Sequence, residues 1–340
     1  MQVKHSIILL VLIISLSGCA ISNQPNSSSL AANSAANIVS HGTHIALPTI
    51  ETGKRPEWLV RTSPDYPYND FYSVTSQANT AETAAEKVYD SAYKLLKPEQ
   101  SSSRAGLPQI KLVALWQQSQ NTFHALAVIP RDQAEAYLRD HLNNLDTATR
   151  ANVAVLNITA DPLMQIGLLQ TVIERQQLRA AIQKSFKKLD LTKEGRESPW
   201  NTRSWSLQME ALLKELRIIP LMDISQPNSD VLTAMLKQGL ENAGLRPVRS
   251  FEADYILRGR FDIEEKELNN GYSQANGQLQ LTLQHKDKQT DYGMQNWALE
   301  VTSISVEGAK ERLLNKAKRL LTTDKRQTII GIAAQADKQP

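Results

Sequence analysis

Residues 277–285 read Gly277-Gln278-Leu279-Gln280-Leu281-Thr282-Leu283-Gln284-His285. Leucine alternates here with glutamine or threonine. Because successive side chains of a β-strand point to opposite faces, this alternation predicts a strand with one buried and one wet face. Gln278, Gln280 and Gln284 would share the wet face, which makes them a candidate partner surface.

Elements on both sides of this strand complete a predicted α/β domain over residues 204–335. The helix predicted at 229–243 carries Leu232, Leu236 and Leu240 on one face and ends before Gly244, a common helix stop. A helix with Trp205 and Leu216 comes before the first strand of this domain. The remaining predicted elements are strands at 217–222, 255–264 and 297–302 and a helix at 306–321.

A second α/β domain is predicted upstream, over residues 51–195. Thr80 or Asn79 can cap a helix that ends near Leu96, and the apolar runs 110–116 and 123–129 form a hairpin around a polar turn. Helices follow at 131–145 and, after Asp161-Pro162, at 163–186. Gly195 and Pro199 mark the boundary between the domains.

The chain starts with a secretory signal. Lys4 precedes an apolar core at 7–16, which is shorter than the roughly 20 residues of a membrane span, and small residues follow it. We therefore assign 1–18 to a signal peptide. Residues 19–50 contain few large apolar side chains up to about residue 40, which predicts a flexible tether. The predicted fold class is thus α+β: two α/β domains, each a small, mostly antiparallel sheet packed against helices, behind a lipidated flexible tether.

The segment Leu16-Ser17-Gly18-Cys19 resembles the bacterial lipobox. The resemblance implies that Cys19 receives a diacylglycerol and, after cleavage before it, an acylated amino terminus. Cys19 is the only cysteine, and several acyl chains on one residue give a durable anchor. Among such lipoproteins Ala20, in place of aspartate, implies an outer-membrane location facing the periplasm. The alternative is an ordinary signal peptide that happens to end near a buried cysteine.

The sequence indicates no catalytic residue, metal site or cofactor. His41 and His44 are closely spaced but lie on the tether without further ligands, and His141 falls on an apolar helix face, where core packing is the simpler interpretation. No Gly-x-Ser-x-Gly turn or phosphate-binding glycine loop occurs. These absences favour a binding or structural role over the alternative of a hydrolase. Trp200 and Trp205, in a polar stretch between the domains, add two candidate partner residues.

Charge points to no nucleic-acid partner. The chain has 38 basic residues, of which Lys4 belongs to the signal, against 35 acidic residues. A nucleic-acid-binding protein would carry a basic face.

Two resemblances refine the functional hypothesis. Pro56-Glu57-Trp58, Phe71-Tyr72-Ser73-Val74, Leu112-Val113-Ala114-Leu115-Trp116 and Phe123-His124-Ala125-Leu126 resemble the bacterial Lpp-twenty lipoprotein family over residues 55–185, although Thr75 stands where a glycine is usual. The stretch from Ala253 to Arg260, Leu281-Thr282-Leu283 and Asn296-Trp297 is similar to the domain of curli-secretion lipoproteins and of lipoproteins that activate penicillin-binding proteins, but lacks the glycine of the turn at 287–291.

These resemblances imply a non-enzymatic scaffold or accessory factor in envelope assembly. Its partners would be the outer membrane, through the acyl chains on Cys19, and envelope or flagellar proteins. The alternative is a regulator that activates a peptidoglycan synthase, with a penicillin-binding protein as its partner.

The anchor can be tested directly. We expect Cys19→Ser to abolish palmitate labelling and to release the protein from outer-membrane fractions, because the substitution removes the acylated sulfur. Metabolic labelling and membrane fractionation measure both effects. Continued labelling of the variant would show that the lipid is attached elsewhere.

Overall fold

The computed structural model describes residues 47–97, 107–223, 228–268 and 271–336. The predicted signal peptide, Cys19, the pair His41 and His44, and the tether up to residue 46 lie outside these ranges. Within them, no helix is long and apolar enough to cross a bilayer. The α+β fold class with two sheets is confirmed.

The first sheet is built by the amino-terminal part of the described chain. Its strand order is β1-β3-β4-β2, in which β1 runs parallel to β3 and the other neighbours are antiparallel. The elements are β1 (Ile50–Thr52), β2 (Phe71–Ala78), α1 (Ala81–Leu96), β3 (Lys111–Ser119), β4 (Thr122–Pro130), α2 (Arg131–Ile158) and α3 (Pro162–Leu189).

The second sheet has the order β6-β5-β7-β8-β9. Strand β5 is parallel to both of its neighbours, whereas β7, β8 and β9 form an antiparallel meander. The elements are α4 (Thr202–Glu215), β5 (Arg217–Met222), α5 (Ser229–Asn242), β6 (Arg246–Pro247), β7 (Tyr255–Glu267), β8 (Ser273–His285), β9 (Asp291–Ser303), α6 (Val306–Thr322) and α7 (Arg326–Ala336).

Helix starts follow the local sequence. The Thr80 hydroxyl accepts a hydrogen bond from the Thr83 amide at 3.2 Å, so Thr80 is the cap of α1. Asp161 caps α3, with Pro162 in its first turn, and accepts from the amides of Leu163 and Met164. These two starts were readable because a cap and its helix are neighbours in the chain.

Some predicted extents are wrong, and one helix is missing from the prediction. Strand β9 begins at Asp291, six residues before the predicted start at 297. Helix α2 continues past the predicted end near residue 145 to Ile158. The prediction stopped early because Asp146 and Thr149, which face inward there, are polar, yet the structure buries both. Helix α7 was not predicted at all. It has only three turns, yet Ile329, Ile330 and Ile332 all lie in the core of the second sheet.

Helix α3 serves both cores. Its first turns place Leu163 and Ile166 in the core of the second sheet. Its last turns place Ile182 and Phe186 in a core with α1, α2 and β4. Helix α7 approaches α3 so closely that a Cβ on Gly167 would lie 2.2 Å from the Ala333 carbonyl oxygen. The predicted division between residues 195 and 204 stays a prediction.

A buried ion pair joins α2 to α3. The Arg179 guanidinium donates to both Asp146 carboxylate oxygens, at 2.7 and 3.2 Å, and both side chains are almost fully buried. The same guanidinium donates to the carbonyls of Arg196 and Glu197. Beside it, Gln176 donates to the Thr149 hydroxyl at 3.0 Å. The pair therefore holds the segment after α3 against the two helices.

Removing one partner of the Arg179–Asp146 ion pair should destabilise the fold. We expect Arg179→Leu to lower the free energy of unfolding by about 3–5 kcal/mol, because it leaves the Asp146 carboxylate buried without a counter-charge. Urea denaturation measures the loss. Limited proteolysis should also cut faster between residues 190 and 201, since two carbonyls there lose their donor.

Two controls accompany this prediction. The double variant Arg179→Leu/Asp146→Leu should recover much of the stability, because apolar pairs commonly replace buried ion pairs without loss. Lys237→Ala breaks the exposed pair with Glu241 on α5 and should change stability by about 0–1 kcal/mol. An equal loss in Arg179→Leu and Lys237→Ala would contradict a special role for the buried pair.

Candidate functional site: the open face of the second sheet

The second sheet has one packed face, on the side of the leucines. Leu279, Leu281 and Leu283 of β8 are buried in the same core as Leu236 of α5 and Leu313 of α6. The helices therefore cover the leucine side. Gly277 on this side leaves room for neighbours, since a Cβ there would lie 2.8 Å from the Phe261 ring.

The opposite face is open among the described residues. Gln278 is exposed, and Gln280 and Gln284 are half-buried between their strand neighbours. Arg258 and Arg260 of β7 and Met294, Asn296, Ala298 and Glu300 of β9 are exposed on the same face. The three predicted glutamines thus lie on one wide surface that the described helices leave uncovered.

The open face is polar, and among the described residues its ion pair is the one between Arg260 and Asp262. Arg260 donates to the Asp262 carboxylate at 2.8 Å on the same strand. Glu300 accepts from the Gln274 amide at 2.7 Å. Such exposed pairs contribute little to stability, but they leave the centre of the face to uncharged amide groups.

One corner of this face is apolar. Ile219 and Leu221 of β5 and Ile256 of β7 are half-buried there, and the pairing of Ile256 with Gln284 places them beside the glutamines. A surface that combines amides with an apolar corner can bind a protein partner by hydrogen bonds and by hydrophobic contact.

Trp200 and Trp205 lie together elsewhere. Their ring centroids are 5.7 Å apart, and Trp205 packs against a small core that contains Leu168 and Leu169 of α3. Both rings are half-buried, and the Trp200 indole nitrogen is buried without a hydrogen-bond partner among the described residues. The pair is thus placed on the start of α4 and the residues before it, whereas the glutamines lie on β8.

The other residues weighed for chemistry are placed as follows. His141 packs against the Tyr137 ring at 4.5 Å between centroids. In the described part of the chain, no three histidine, cysteine, aspartate or glutamate residues are grouped so as to hold a metal ion.

A cluster at the end of the second sheet was missed in the sequence. The Asp161 carboxylate accepts hydrogen bonds from the Tyr255 and Tyr292 hydroxyls, the former at 3.1 Å, and Lys288 lies 3.8 Å away. Tyr255 and Tyr292 are 94 and 131 residues distant from Asp161. The pair Asp161-Pro162 predicts the helix cap, but no residue near Asp161 in the sequence predicts its hydrogen bonds with the two tyrosines.

The electrostatics of this cluster favour a charged aspartate and neutral tyrosines. Burial raises the pKa of Asp161, but the hydrogen bonds from Tyr292, Met164, Tyr255 and Leu163 together outweigh it and leave that pKa below its ordinary value. Burial and the Asp161 charge raise the pKa of both tyrosines. The phenols therefore remain donors, and the cluster fastens α3 to the sheet.

Comparisons with known proteins name no family. No family model matches the chain, and no curated protein does. Among solved structures, a secreted protein from Helicobacter pylori is 10% identical, with 74% of this chain and 96% of that chain covered and a TM-score of 0.34. A minor lipoprotein from Acinetobacter baumannii is 17% identical, with 38% and 98% covered and a TM-score of 0.26. Rare lipoprotein B from Shewanella oneidensis is 11% identical, with 36% and 94% covered and a TM-score of 0.22.

The Asp161 cluster predicts a specific dependence of stability on pH. A carboxyl whose pKa is lowered on folding stabilises the fold above its unfolded pKa, about 3.9, and this contribution is lost as the pH falls through the folded value. We expect Asp161→Asn to be less stable than the parent chain at pH 7. It should also lose less stability between pH 7 and pH 3, as measured by urea denaturation at each pH.

Tyr292→Phe should lower stability at pH 7 by about 1.5–3 kcal/mol, because it removes a donor to a charged acceptor. The matched control for Asp161→Asn is Asp140→Asn, at an exposed position of α2, which should leave stability nearly unchanged. If Asp161→Asn and the parent chain lost the same stability between pH 7 and pH 3, Asp161 would not be the carboxyl whose pKa is lowered on folding.

Proposed function

We propose that this chain is an outer-membrane lipoprotein, anchored through Cys19, that acts as a non-enzymatic scaffold or accessory factor for an envelope assembly on the periplasmic side. The anchor is supported by the apolar core at 7–16, the lipobox-like Leu16-Ser17-Gly18-Cys19 and Ala20. Flagellar basal structures are among the assemblies that the Lpp-twenty resemblance suggests.

The open face of the second sheet is the observation that carries the accessory role. Strands β7, β8 and β9 have 13 residues each, so the face extends about 44 Å along the strands at roughly 3.4 Å per residue. A sheet face of this length, packed by helices on one side only, offers enough area for a standard protein interface.

The chemistry of the face selects the kind of partner. Its centre holds the amides of Gln278, Gln280 and Asn296. Beside them Arg260 and Asp262 pair with each other, and Arg258, opposite Thr282, adds one positive charge. The complementary surface is therefore a mainly uncharged, hydrogen-bonding protein surface with an acceptor for Arg258 and an apolar edge that meets Ile219 and Ile256.

A second candidate function is the activation of a peptidoglycan synthase. The resemblance of Ala253–Arg260 and Asn296-Trp297 to activator lipoproteins supports it, and these residues lie on β7 and β9 or just before β7, next to the glutamines. The two functions differ in the partner, an assembly component in one case and a penicillin-binding protein in the other.

A photo-reactive residue at position 278 should identify the partner in intact cells. We expect cross-links from this position to an envelope protein and none from an exposed control position such as 150 on α2. Recovery of an assembly component supports scaffolding, and recovery of a penicillin-binding protein supports the second candidate. Absence of any protein cross-link at 278, 280 and 298 would refute the face as the contact.

Charge on the face should break the complex without harming the fold. We expect Gln278→Glu/Gln280→Glu to keep the melting temperature, since surface substitutions usually cost within about 0.5 kcal/mol. The complex should be lost, because two carboxylates would have to give up their hydration against an uncharged partner surface. The matched control is Gln177→Glu/Gln208→Glu, the same change at exposed helix positions. An equal effect of both double variants would show that net charge, not the face, matters.

A further inference from the structure

Strand β2 is an edge of the first sheet, and half of its backbone groups point away from that sheet. Its described strand neighbour is β4. The Arg131 amide donates to the Asp70 carbonyl at 2.9 Å. In an antiparallel pair, hydrogen-bonded residues alternate, so Tyr72, Val74 and Ser76 bond to β4. The N–H and C=O groups of Ser73, Thr75 and Gln77 therefore point outward.

The first cavity beside this edge lies on the side of the helices. It has a volume of about 420 Å³ and is lined by Tyr72, Val74 and Thr75 of β2, by Lys94 of α1 and by Lys188 of α3. The two lysines are the charged groups of this lining, and no carboxylate belongs to it. The cavity thus offers two cations beside an open strand.

The second cavity lies on the other side of the same edge. It has a volume of about 310 Å³ and is lined by Trp58, Tyr68 and Phe71 with the cations Arg61 and Arg131, again without a carboxylate. Arg61 already pairs with Glu57 at 2.6 Å. Arg131 is therefore the cation of this lining without an ion pair among the described residues, and the Glu135 carboxylate one turn further along α2 interacts with it through space.

Arg131 is only 2% exposed, and its contacts are backbone oxygens and ring faces. Its Nε donates to the Tyr68 carbonyl at 2.6 Å, its Nη1 donates to the Leu189 carbonyl, and its guanidinium lies 4.2 Å from the Tyr68 ring centroid. Among the described residues it has no ion pair, and Nη2 has no hydrogen-bond partner. The Trp58 indole nitrogen, in the same lining, is likewise buried without an acceptor. Buried donors of this kind call for an acceptor.

The two cavities lie on either side of the same strand, β2. Both include Tyr72, Ser73 and Thr75, whereas Val74 lines only the first and Phe71 only the second. Val74 and Phe71 point to opposite faces of the sheet. A strand added along β2 would alternate in the same way, so two adjacent side chains of that strand would point one to each cavity.

We propose that the β2 edge binds an extended acidic segment of a partner protein by strand addition. The outward groups of Ser73, Thr75 and Gln77 supply the main-chain hydrogen bonds, as in other strand-addition complexes. Of two adjacent carboxylates, Lys94 and Lys188 receive one, and Arg131 with the Trp58 indole receives the other. This surface belongs to the first sheet and is separate from the glutamine face.

A designed peptide tests the proposal on the full chain purified in detergent. The probe is a fluorescein-labelled peptide of alternating threonine and valine with two adjacent central glutamates. We expect it to bind, as measured by fluorescence anisotropy, and the version with two glutamines to bind roughly tenfold more weakly, because charge complementarity is lost. A peptide whose two glutamates are separated by one other residue should also bind more weakly, since both side chains then face the same cavity.

Two variants test the contribution of the cations and that of the strand edge independently. Lys94→Glu/Lys188→Glu should weaken binding of the acidic peptide roughly tenfold. The matched control Lys87→Glu/Lys184→Glu makes the same change at exposed positions of the same two helices, outside the cavity lining. Thr75→Pro removes an outward N–H and is compatible with an edge strand, so it should abolish binding with an unchanged melting temperature.

Hydrogen exchange gives a readout of the edge itself. The amides of Ser73, Thr75 and Gln77 should become protected when the acidic peptide binds. The proposal is overturned if the peptide does not bind, if the glutamate and glutamine peptides bind equally, or if the Lys87/Lys184 control weakens binding as much as the Lys94/Lys188 variant. Normal binding by Thr75→Pro would overturn strand addition.

Discussion

Helix α3 contributes to two hydrophobic cores, so the packing of both sheets involves the same helix. A helix of 28 residues extends about 42 Å at 1.5 Å per residue, long enough to bury Leu163 under the second sheet and Phe186 under the first. Three polar contacts hold it in place: the Asp161 cap with its two tyrosines at one end, the Arg179–Asp146 pair in the second half, and the bond from Arg131 to the Leu189 carbonyl at the other end. Because apolar burial has no direction, these polar contacts set the register of the helix.

Burial on one side also explains the surfaces that remain free. The leucines of β8 attract helices to one face of the second sheet, and each glutamine between them is thereby turned to the opposite face. In the first sheet the order β1-β3-β4-β2 ends at β2, so outward backbone groups and two cation-lined cavities lie along that edge. Partner surfaces of this protein would then follow from the way its sheets are covered rather than from a cluster of reactive side chains.

Some of the candidate site was readable from residue spacing. The period of two in β8 placed Gln278, Gln280 and Gln284 on one face, and the Asp161-Pro162 pair announced the start of α3. The period failed where the interior is polar: Asp146 and Thr149 look like the solvent side of a helix, so α2 was predicted too short. Their burial depends on Arg179 and Gln176, which are 33 and 27 residues away. A hydropathy pattern cannot register a polar residue whose partner comes from another helix.

Residues close together in the chain were enough to predict the α+β class, the alternation of β8, most helices and strands near their observed positions, and the lipobox-like segment. The folded chain was needed to establish the strand orders, the contribution of α3 to two cores, the packing of α7 against Gly167, and the hydrogen bonds from Tyr255 and Tyr292 to Asp161. The physical reason is that local periodicity states which side of an element is apolar but not which distant element covers it. That choice is made by shape and by the pairing of buried polar groups, and both exist only once the chain has folded.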